Sequence, residues 1–241
     1  MIFLGGGSLL SRAVHHTQAA GLEVKLVCCP CADPALPRLK RTDVPILETN
    51  DPNRDLPKHI NGREGIKVFS INNKFVLDDH LLGLKADFFN MHNGLTQRYR
   101  GIAEVCVFAA ICCGEEQYGA TLHRLLPMQR IDAGPIVAQR AFEIEKSDSF
   151  HVVMKRSLDV CEAIFANNIN RIAADDYSMI PADSLGNIYS YNDVSKLCRE
   201  ARAENLARAS DLGGYRALFP KLNDLAARYR HDAVASSSGG G

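Results

Sequence analysis

The sequence has 241 residues, of which 46% are hydrophobic and 23% are charged, and this composition is typical of a soluble globular protein. Its 28 basic and 28 acidic residues balance, whereas nucleic-acid-binding proteins usually carry a basic excess. No apolar run approaches the roughly 18 residues of a membrane span, and the amino terminus lacks the basic segment of a secretory signal. We therefore expect a cytoplasmic protein that binds neither nucleic acid nor membranes.

The first part of the chain alternates between short apolar runs and amphipathic segments. Residues 1–5 (MIFLG) predict a buried strand, and the following segment predicts a glycine-rich turn and a helix, with Ser8 as N-cap and Gly21 as stop. Further strands are predicted, in chain order, in LEVKLVCC, VPILET, GIKVFSI, ADFFNMH, YGATLHRLL and GPIVAQRAFEI. The apolar periodicity from Ser149 to Ala174 predicts one amphipathic helix. This alternation predicts an α/β protein with a Rossmann-like, mostly parallel sheet covered by helices.

The chain changes character after residue 175. Residues 176–232 read as a short extended piece followed by smaller helices, which predicts a small, mainly helical C-terminal extension. Residues 233–241 (AVASSSGGG) are rich in Ser and Gly and predict a flexible tail. This tail leaves open whether the chain is a piece of a larger protein.

Eight cysteines raise the question of a metal site or of disulfides. Cys28 and Cys31 form a C-x-x-C pair, but a zinc site normally requires two well-spaced pairs in turns. Cys28 ends a predicted strand and Cys112 ends an apolar, helix-like run, where cysteine often acts as a small buried hydrophobe. We predict reduced thiols and no metal.

The glycine-rich turn GGGSLL follows a strand and precedes a helix, as in dinucleotide-binding folds. The third glycine of that fingerprint is replaced by Leu10, and the second predicted strand ends in VCCP rather than in an acidic residue. A nicotinamide site is therefore disfavoured. The turn can still present backbone N–H groups to an anion, and we expect it to lie near a ligand.

The segment FNMHNGLTQRYRG, residues 89–101, begins at the end of a predicted strand. Asn90 and His92 are two residues apart, so their side chains project from the same face of that strand at its carboxyl end. A pair of polar side chains in this place either contacts a substrate or completes a turn.

Three motifs in order, FNMHNGLTQRYRG, YGATLHRL and RIDAGPIVAQ, resemble the folate-dependent formyltransferase family in sequence and spacing. The resemblance covers residues 1–175 and implies that they form the catalytic domain. Matched residue by residue, it places Asn90, His92 and Asp132 at the catalytic positions. The alternatives for the last two taken singly are a buried histidine and a turn acid.

The chemistry of formyl transfer fits these residue types. An amine attacks the formyl carbon of N10-formyltetrahydrofolate, and the oxygen of the tetrahedral intermediate needs hydrogen-bond donors, which Asn90 and His92 can supply. The amine must also lose a proton while the folate nitrogen gains one. A histidine held by a carboxylate suits this transfer, and Asp132 is implied either to orient His92 or to take the proton of the amine.

The resemblance also implies binding residues for the formyl donor and for the acceptor, and it implies no metal. The implied donor contacts are Asn72, Phe75, Val76, Leu77 and Ile131. The implied acceptor contacts are Gly6, Ser8, Asn93, Gly94, Arg98, Tyr99 and Arg100. For the apolar residues after the fourth predicted strand, the alternative is a place in the core.

The acceptor is implied to be the amine of a small molecule. Where many relatives have a Ser-Leu-Leu-Pro-like segment after the histidine, this chain has NGLTQ, which is closer to the sugar and natural-product formyltransferases. Balanced charge and the scarcity of strand-like sequence after residue 175 argue against tRNA. An amino sugar nucleotide or the amine of a specialised metabolite is expected.

Other functions stay open at the level of sequence. The domain could transfer another acyl group, or it could be a non-catalytic module that binds folate or a carrier within a larger biosynthetic protein. The resemblance also leaves a homodimer open.

Overall fold

Nine strands are present in the computed structural model, which describes residues 1–60, 62, 64–182 and 184–237, the last eight of these by their backbone. The strands are β1 (Ile2–Gly5), β2 (Leu26–Cys29), β3 (Ile46–Glu48), β4 (Ile66–Ile71), β5 (Ala86–His92), β6 (Tyr99–Gly101), β7 (Gln117–Leu125), β8 (Ile136–Glu143) and β9 (Asn187–Tyr189). Seven of them form one sheet in the order β3-β2-β1-β4-β5-β7-β8. β6 and β9 form a separate parallel pair.

Strands β1 to β5 are parallel to one another, and β7 is antiparallel to β5. The predicted mostly parallel α/β sheet is therefore confirmed. The segment YRG, which the sequence analysis did not identify as a strand, forms β6. Its pairing with β9 involves residues far along the chain, so no local pattern could have revealed it.

Helices alternate with the strands in the first part of the chain and make up most of the C-terminal part. They are α1 (Gly7–Ala19), α2 (Leu36–Leu39), α3 (Pro52–Asp55), α4 (Pro57–Ile60), α5 (Asp79–Leu82), α6 (Ala103–Cys112), α7 (Phe150–Ala173), α8 (Val194–Glu200), α9 (Ala203–Ala209) and α10 (Pro220–Ser237), with 3-10 turns at Tyr191–Asp193 and Gly213–Arg216. The mainly helical C-terminal part is as predicted. Within the described residues, no helix combines the length and hydropathy needed to cross a membrane.

The boundaries of α1 and α10 differ from the sequence analysis. The N-cap of α1 is Gly6, with Ser8 in the first turn, so the predicted capping role of Ser8 is wrong. At the other end, Gly21 has a left-handed φ of 72° directly after the C-cap, as expected of a helix stop. The predicted tail, 233–241, is helical as far as Ser237, and residues 238–241 lie outside the described part of the chain.

The chain divides into two compact units. The first unit comprises Met1–His92, Thr121–Gln139 and Val160–Asp183, and the second comprises Asn93–Ala120, Arg140–Asp159 and Ser184–Gly241. This division is interleaved along the sequence and does not coincide with the predicted boundary after residue 175, which stays a prediction.

An aromatic ladder forms part of the core of the first unit. The strand register aligns Phe3 with Phe69 and Phe69 with Phe89, and the neighbouring rings stack at centroid distances of 5.5 and 5.1 Å. Phe165 of α7 meets the edges of the first two rings. Because Phe89 directly precedes Asn90, this ladder fixes the backbone from which Asn90 projects.

The core of the second unit surrounds α6. Every residue of this helix from Val105 to Cys112 is buried, which accounts for its apolar sequence on all sides. Cys28 in the first unit is buried as well, and burial raises the pKa of its thiol to about 12. Cys28 and Cys112 thus behave as small core residues, as the sequence predicted.

Truncation of the central ring of the aromatic ladder should destabilise the protein. Replacing buried Phe69 by Ala leaves a cavity between two stacked neighbours, and we expect the free energy of unfolding to fall by about 3–5 kcal/mol. Urea denaturation measures this change. Val76→Ala is the control, because Val76 is 71% exposed and should change stability by about 0.5 kcal/mol at most. Equal losses of unfolding free energy in the two variants would contradict the stabilising role of the aromatic ladder.

Candidate active site

The carboxyl ends of β1, β4 and β5 meet at one edge of the sheet. The register places Gly5 beside Ile71 and Ile71 beside Met91, so these three strands end side by side. The turn after β1, the loop after β4 and the polar end of β5 therefore share this edge. In open α/β sheets, ligands bind outside the carboxyl ends of the strands.

The antiparallel pairing of β5 with β7 brings a second histidine to this edge. Asn90 lies directly opposite His123, and His92 lies directly opposite Thr121. Residues directly opposite on antiparallel strands project to the same face. The sequence analysis assigned no role to His123, although this residue lies within the YGATLHRL motif that carried the resemblance.

Asp132 reaches the same place through a tight loop between β7 and β8. Its backbone has a left-handed φ of 50°. Two residues later, a Cβ on Gly134 would lie 1.7 Å from the carbonyl oxygen of Arg124, so only glycine permits this close approach. The N–H of Arg124 donates to the carbonyl of Pro135 at 2.9 Å and closes the loop.

The carboxylate of Asp132 lies between Asn90 and His92. Asn90 Nδ2 donates to Asp132 Oδ1 at 3.2 Å, and His92 Nδ1 lies 3.4 Å from Asp132 Oδ2. His92 and Asp132 are 4% and 8% exposed. The fold thus brings together the three residues that the sequence analysis identified, and their catalytic roles stay a prediction.

His123 is fully buried and its hydrogen-bond partners define its tautomer. Its Nδ1 lies 3.0 Å from the carbonyl oxygen of Arg124, which can only accept, so Nδ1 carries the hydrogen. Its Nε2 lies 3.2 Å from Asn90 Nδ2 and therefore accepts. His123 Nε2 is also 3.5 Å from Asp132 Oδ1, which places it beside the carboxylate.

These contacts engage both hydrogens of the Asn90 amide. One is donated to Asp132 and the other to His123, so the amide orients the carboxylate in this arrangement. Asn90 would have to release one of these bonds to donate to an oxyanion. With its Nδ1 hydrogen directed at Asp132, the neutral ring of His92 carries its lone pair on Nε2, where proton transfer would take place.

The implied donor contacts lie mainly on two loops of the first unit. Val76 and Ile131 expose their apolar side chains, and Phe75 is half-buried. Leu77 is buried in the core, which disfavours the donor contact implied for its side chain, and that contact stays a prediction. Met128, which the sequence analysis did not select, is 87% exposed on the same loop as Ile131.

The glycine-rich turn is occupied by a carboxylate of the chain itself. The N–H of Gly7 donates to Asp33 Oδ1 at 2.9 Å, and a Cβ on Gly6 would lie 2.1 Å from Asp33 Oδ2. The side-chain amide of exposed Asn72 donates to the carbonyl of Gly6 at 3.0 Å. Ser8 remains exposed. An external anion at the start of α1 would have to displace Asp33, which argues against the implied acceptor contact at Gly6.

Asn93 of the second unit supports the interior of that unit. Its Oδ1 accepts from Ser157, its Nδ2 donates to Met154 Sδ at 3.3 Å, and its carbonyl accepts from the hydroxyl of Tyr118 at 2.6 Å. Neighbouring Gly94 is buried too. These internal bonds argue against the acceptor contact implied for Asn93.

The Tyr-Arg-Gly motif is likewise engaged within the second unit. Tyr99 is buried and donates its hydroxyl to Glu115 at 2.9 Å, and burial beside this carboxylate raises the pKa of Tyr99 well above its ordinary value. Arg100 is buried and donates to the carbonyl of Gly186. Arg98 is exposed and forms an ion pair with Glu115. The acceptor contacts implied for these residues stay predictions, and burial disfavours them for Tyr99 and Arg100.

The His, Cys, Asp and Glu side chains of the described residues include no group of three or more that could hold a metal ion. The candidate site therefore consists of an amide, two imidazoles and one carboxylate. Such a set can orient a substrate, stabilise a developing charge and transfer protons.

Residues 74–169 match the family described as formyl transferase. This segment contains β5, β7 and the loop that carries Asp132. All four side chains of the candidate site, Asn90, His92, His123 and Asp132, therefore lie within it. The resemblance that the sequence motifs indicated is confirmed.

Several solved structures share the fold. An N-formyltransferase from Helicobacter canadensis, in complex with folinic acid and dTDP-3-aminofucose, superposes with a TM-score of 0.71 at 18% identity, over 86% of this chain and 79% of that chain. A sugar N-formyltransferase from a Shewanella species gives 0.70 at 17% identity, over 87% of each chain. The phosphoribosylglycinamide formyltransferase of Coxiella burnetii gives 0.65 at 18% identity, over 78% of this chain and 98% of that chain.

The tautomer of His123 can be measured directly. Long-range ¹H–¹⁵N correlation spectra should show His123 with its hydrogen on Nδ1, since this nitrogen faces a carbonyl oxygen. A His123→Gln variant identifies the signal by its loss, and exposed His80 serves as the reference for a histidine in solvent. A hydrogen on Nε2 would contradict the arrangement, because two N–H donors, His123 Nε2 and Asn90 Nδ2, would then face each other.

Proposed function

We propose that this chain is a member of the formyl transferase family that residues 74–169 match, and that it transfers the formyl group of N10-formyltetrahydrofolate to the amine of a small-molecule acceptor. The observation that carries this proposal is the position of the Asp132 carboxylate, 3.2 Å from Asn90 and 3.4 Å from His92 at the carboxyl edge of the sheet. A buried carboxylate between an amide and an imidazole is the set that the reaction requires.

The reaction forms one C–N bond and breaks another. The amine of the acceptor attacks the formyl carbon, the bond from that carbon to N10 breaks, and tetrahydrofolate leaves. The proton lost by the amine must finally reach N10. His92 is placed to carry it, because Asp132 holds the Nδ1 side of the ring and leaves the lone pair of the neutral ring on Nε2. Burial strengthens the interaction between carboxylate and imidazole.

A folate donor is supported by the folinic acid in the Helicobacter canadensis enzyme, whose fold this chain shares. In this chain, Val76, Met128 and Ile131 expose apolar side chains on the two loops of the first unit that flank the strand ends. Exposed apolar side chains beside a polar reaction centre suit a flat aromatic ring such as a pterin.

An amino sugar nucleotide is the acceptor class that we propose. Sugar N-formyltransferases are prominent among the structures that share the fold, and one of them is in complex with dTDP-3-aminofucose. A phosphoribosylglycinamide acceptor is the second candidate, since an enzyme with that acceptor also shares the fold. The carboxylate of Asp33 at the glycine-rich turn disfavours a phosphate there. The balanced charge of 28 basic and 28 acidic residues disfavours tRNA.

The substitution Asp132→Asn keeps the shape of the side chain and removes its charge. Turnover should fall by about 10²–10⁴-fold, because the imidazole of His92 loses its carboxylate partner. Folate affinity should change little, since the proposed donor contacts are apolar side chains and loop backbone. Turnover and folate affinity are measured on the same preparation.

Asp43→Asn is the matched control for this experiment, because Asp43 is an exposed acid on a loop of the first unit. The control should retain both turnover and folate affinity. Near-normal turnover in Asp132→Asn would mean that this residue is only a turn acid.

The choice of acceptor is tested by incubation with 10-formyltetrahydrofolate and a panel of amines. We expect tetrahydrofolate release with a dTDP-amino sugar and little release with phosphoribosylglycinamide or charged initiator tRNA. Release with phosphoribosylglycinamide alone would reverse the choice of acceptor. Folate binding without release for any amine would favour a non-catalytic binding module.

A further inference from the structure

The side chain of Asn53 spans two backbone groups of the loop that follows β4. Its Nδ2 donates to the carbonyl oxygen of Val76 at 3.0 Å, and its Oδ1 accepts from the N–H of Asp78 at 3.1 Å. The amide therefore pairs with this loop as the peptide group of an additional strand would. We call this pair of hydrogen bonds the Asn53 clasp.

Asn53 itself is firmly placed at the start of α3. Asp51 caps this helix by accepting from the N–H of Arg54, and Pro52 occupies the first helical position. The hydroxyl of Thr49 accepts from the N–H of Asp51 and donates to Asp55. These bonds connect Asn53 to the end of β3. The clasp therefore joins the loop that follows β4 to the sheet of the first unit.

The clasped loop has one buried and one exposed apolar residue. Leu77 is buried in the core, whereas Val76 is 71% exposed. Asp78 caps α5 by accepting from the N–H of Leu81 at 2.8 Å, which closes the loop on its far side. The clasp therefore holds the backbone on both sides of Leu77 and fixes the direction in which Val76 points.

We propose that Asn53 is a positioning residue for the formyl donor, a role that rests on the proposed function. Its clasp pre-orders residues 76–78, so that the exposed face of this loop is ready when folate binds. A loop that must become ordered on binding lowers affinity, because the conformational entropy lost is subtracted from the binding energy. Asn53 does not touch the reacting atoms, and it acts on the donor through the loop.

The substitution Asn53→Ala should raise the KM for 10-formyltetrahydrofolate by about three- to tenfold, which corresponds to the net contribution of solvent-exposed hydrogen bonds. The value of kcat and the KM for the acceptor should stay within about twofold of the wild-type values, since the substitution leaves Asp132 and its neighbouring side chains unchanged. A structural role alone would lower the melting temperature without this selective change in the donor KM. Asn192→Ala, at an exposed asparagine of the second unit, is the control.

The clasp has a second readout that does not depend on activity. In Asn53→Ala, the amide of Asp78 should exchange with solvent faster than in the wild type, because it has lost its acceptor. Asn53→Asp keeps that acceptor and loses the donor to Val76, so it should restore slow exchange at Asp78 but not the donor KM.

The outcomes separate this inference from the proposed function. An unchanged donor KM in Asn53→Ala, with an active wild type, overturns the role of Asn53 and leaves formyl transfer standing. Failure of the wild type to bind folate overturns both. Faster exchange at Asp78 together with a higher donor KM and an unaltered kcat supports the positioning role.

Discussion

The burial of one carboxylate constrains the candidate site. A carboxylate at 8% exposure has lost most of its hydration, and the chain must supply hydrogen bonds in place of water. Asp132 receives them from Asn90 and faces the Nδ1 side of His92. The second hydrogen of the Asn90 amide then finds its acceptor in His123. One buried group therefore orients an amide and two imidazoles, which is the preorganisation that proton transfer and charge stabilisation require.

The elements around this group differ in how firmly they are held. Asn90 follows directly on Phe89, whose ring is stacked on Phe69 in the core, so the candidate site is built on well-packed strands. The loop after β4 is anchored in the core by Leu77, and its backbone is held by a few side-chain hydrogen bonds, among them those of Asn53 and Asn73. In the proposed function, the chemistry depends on distances fixed by the sheet, whereas folate binding depends on a loop that a few hydrogen bonds keep in order.

Local patterns in the sequence were sufficient for most of the fold. Alternating apolar runs and helical periodicity predicted all seven strands of the main sheet and α7, because these signals depend on which face of each element is buried. The same signals do not report pairing over long distances, and β6, which pairs with β9, was therefore not identified. They also could not separate Leu77 from Val76, two adjacent apolar residues of which one lies in the core and one in solvent.

By itself the sequence determined the residue types of the candidate site and the resemblance that three motifs carry, and the two-residue spacing of Asn90 and His92 placed both on one strand face. Only the tertiary structure decided which side chains meet them. The antiparallel register of β7 placed His123 opposite Asn90, and the tight loop that ends at Gly134 brought in Asp132 from about forty residues away. A local pattern encodes direction and burial along one element, whereas contact between distant residues depends on register and loop closure, which the packing of the whole chain determines.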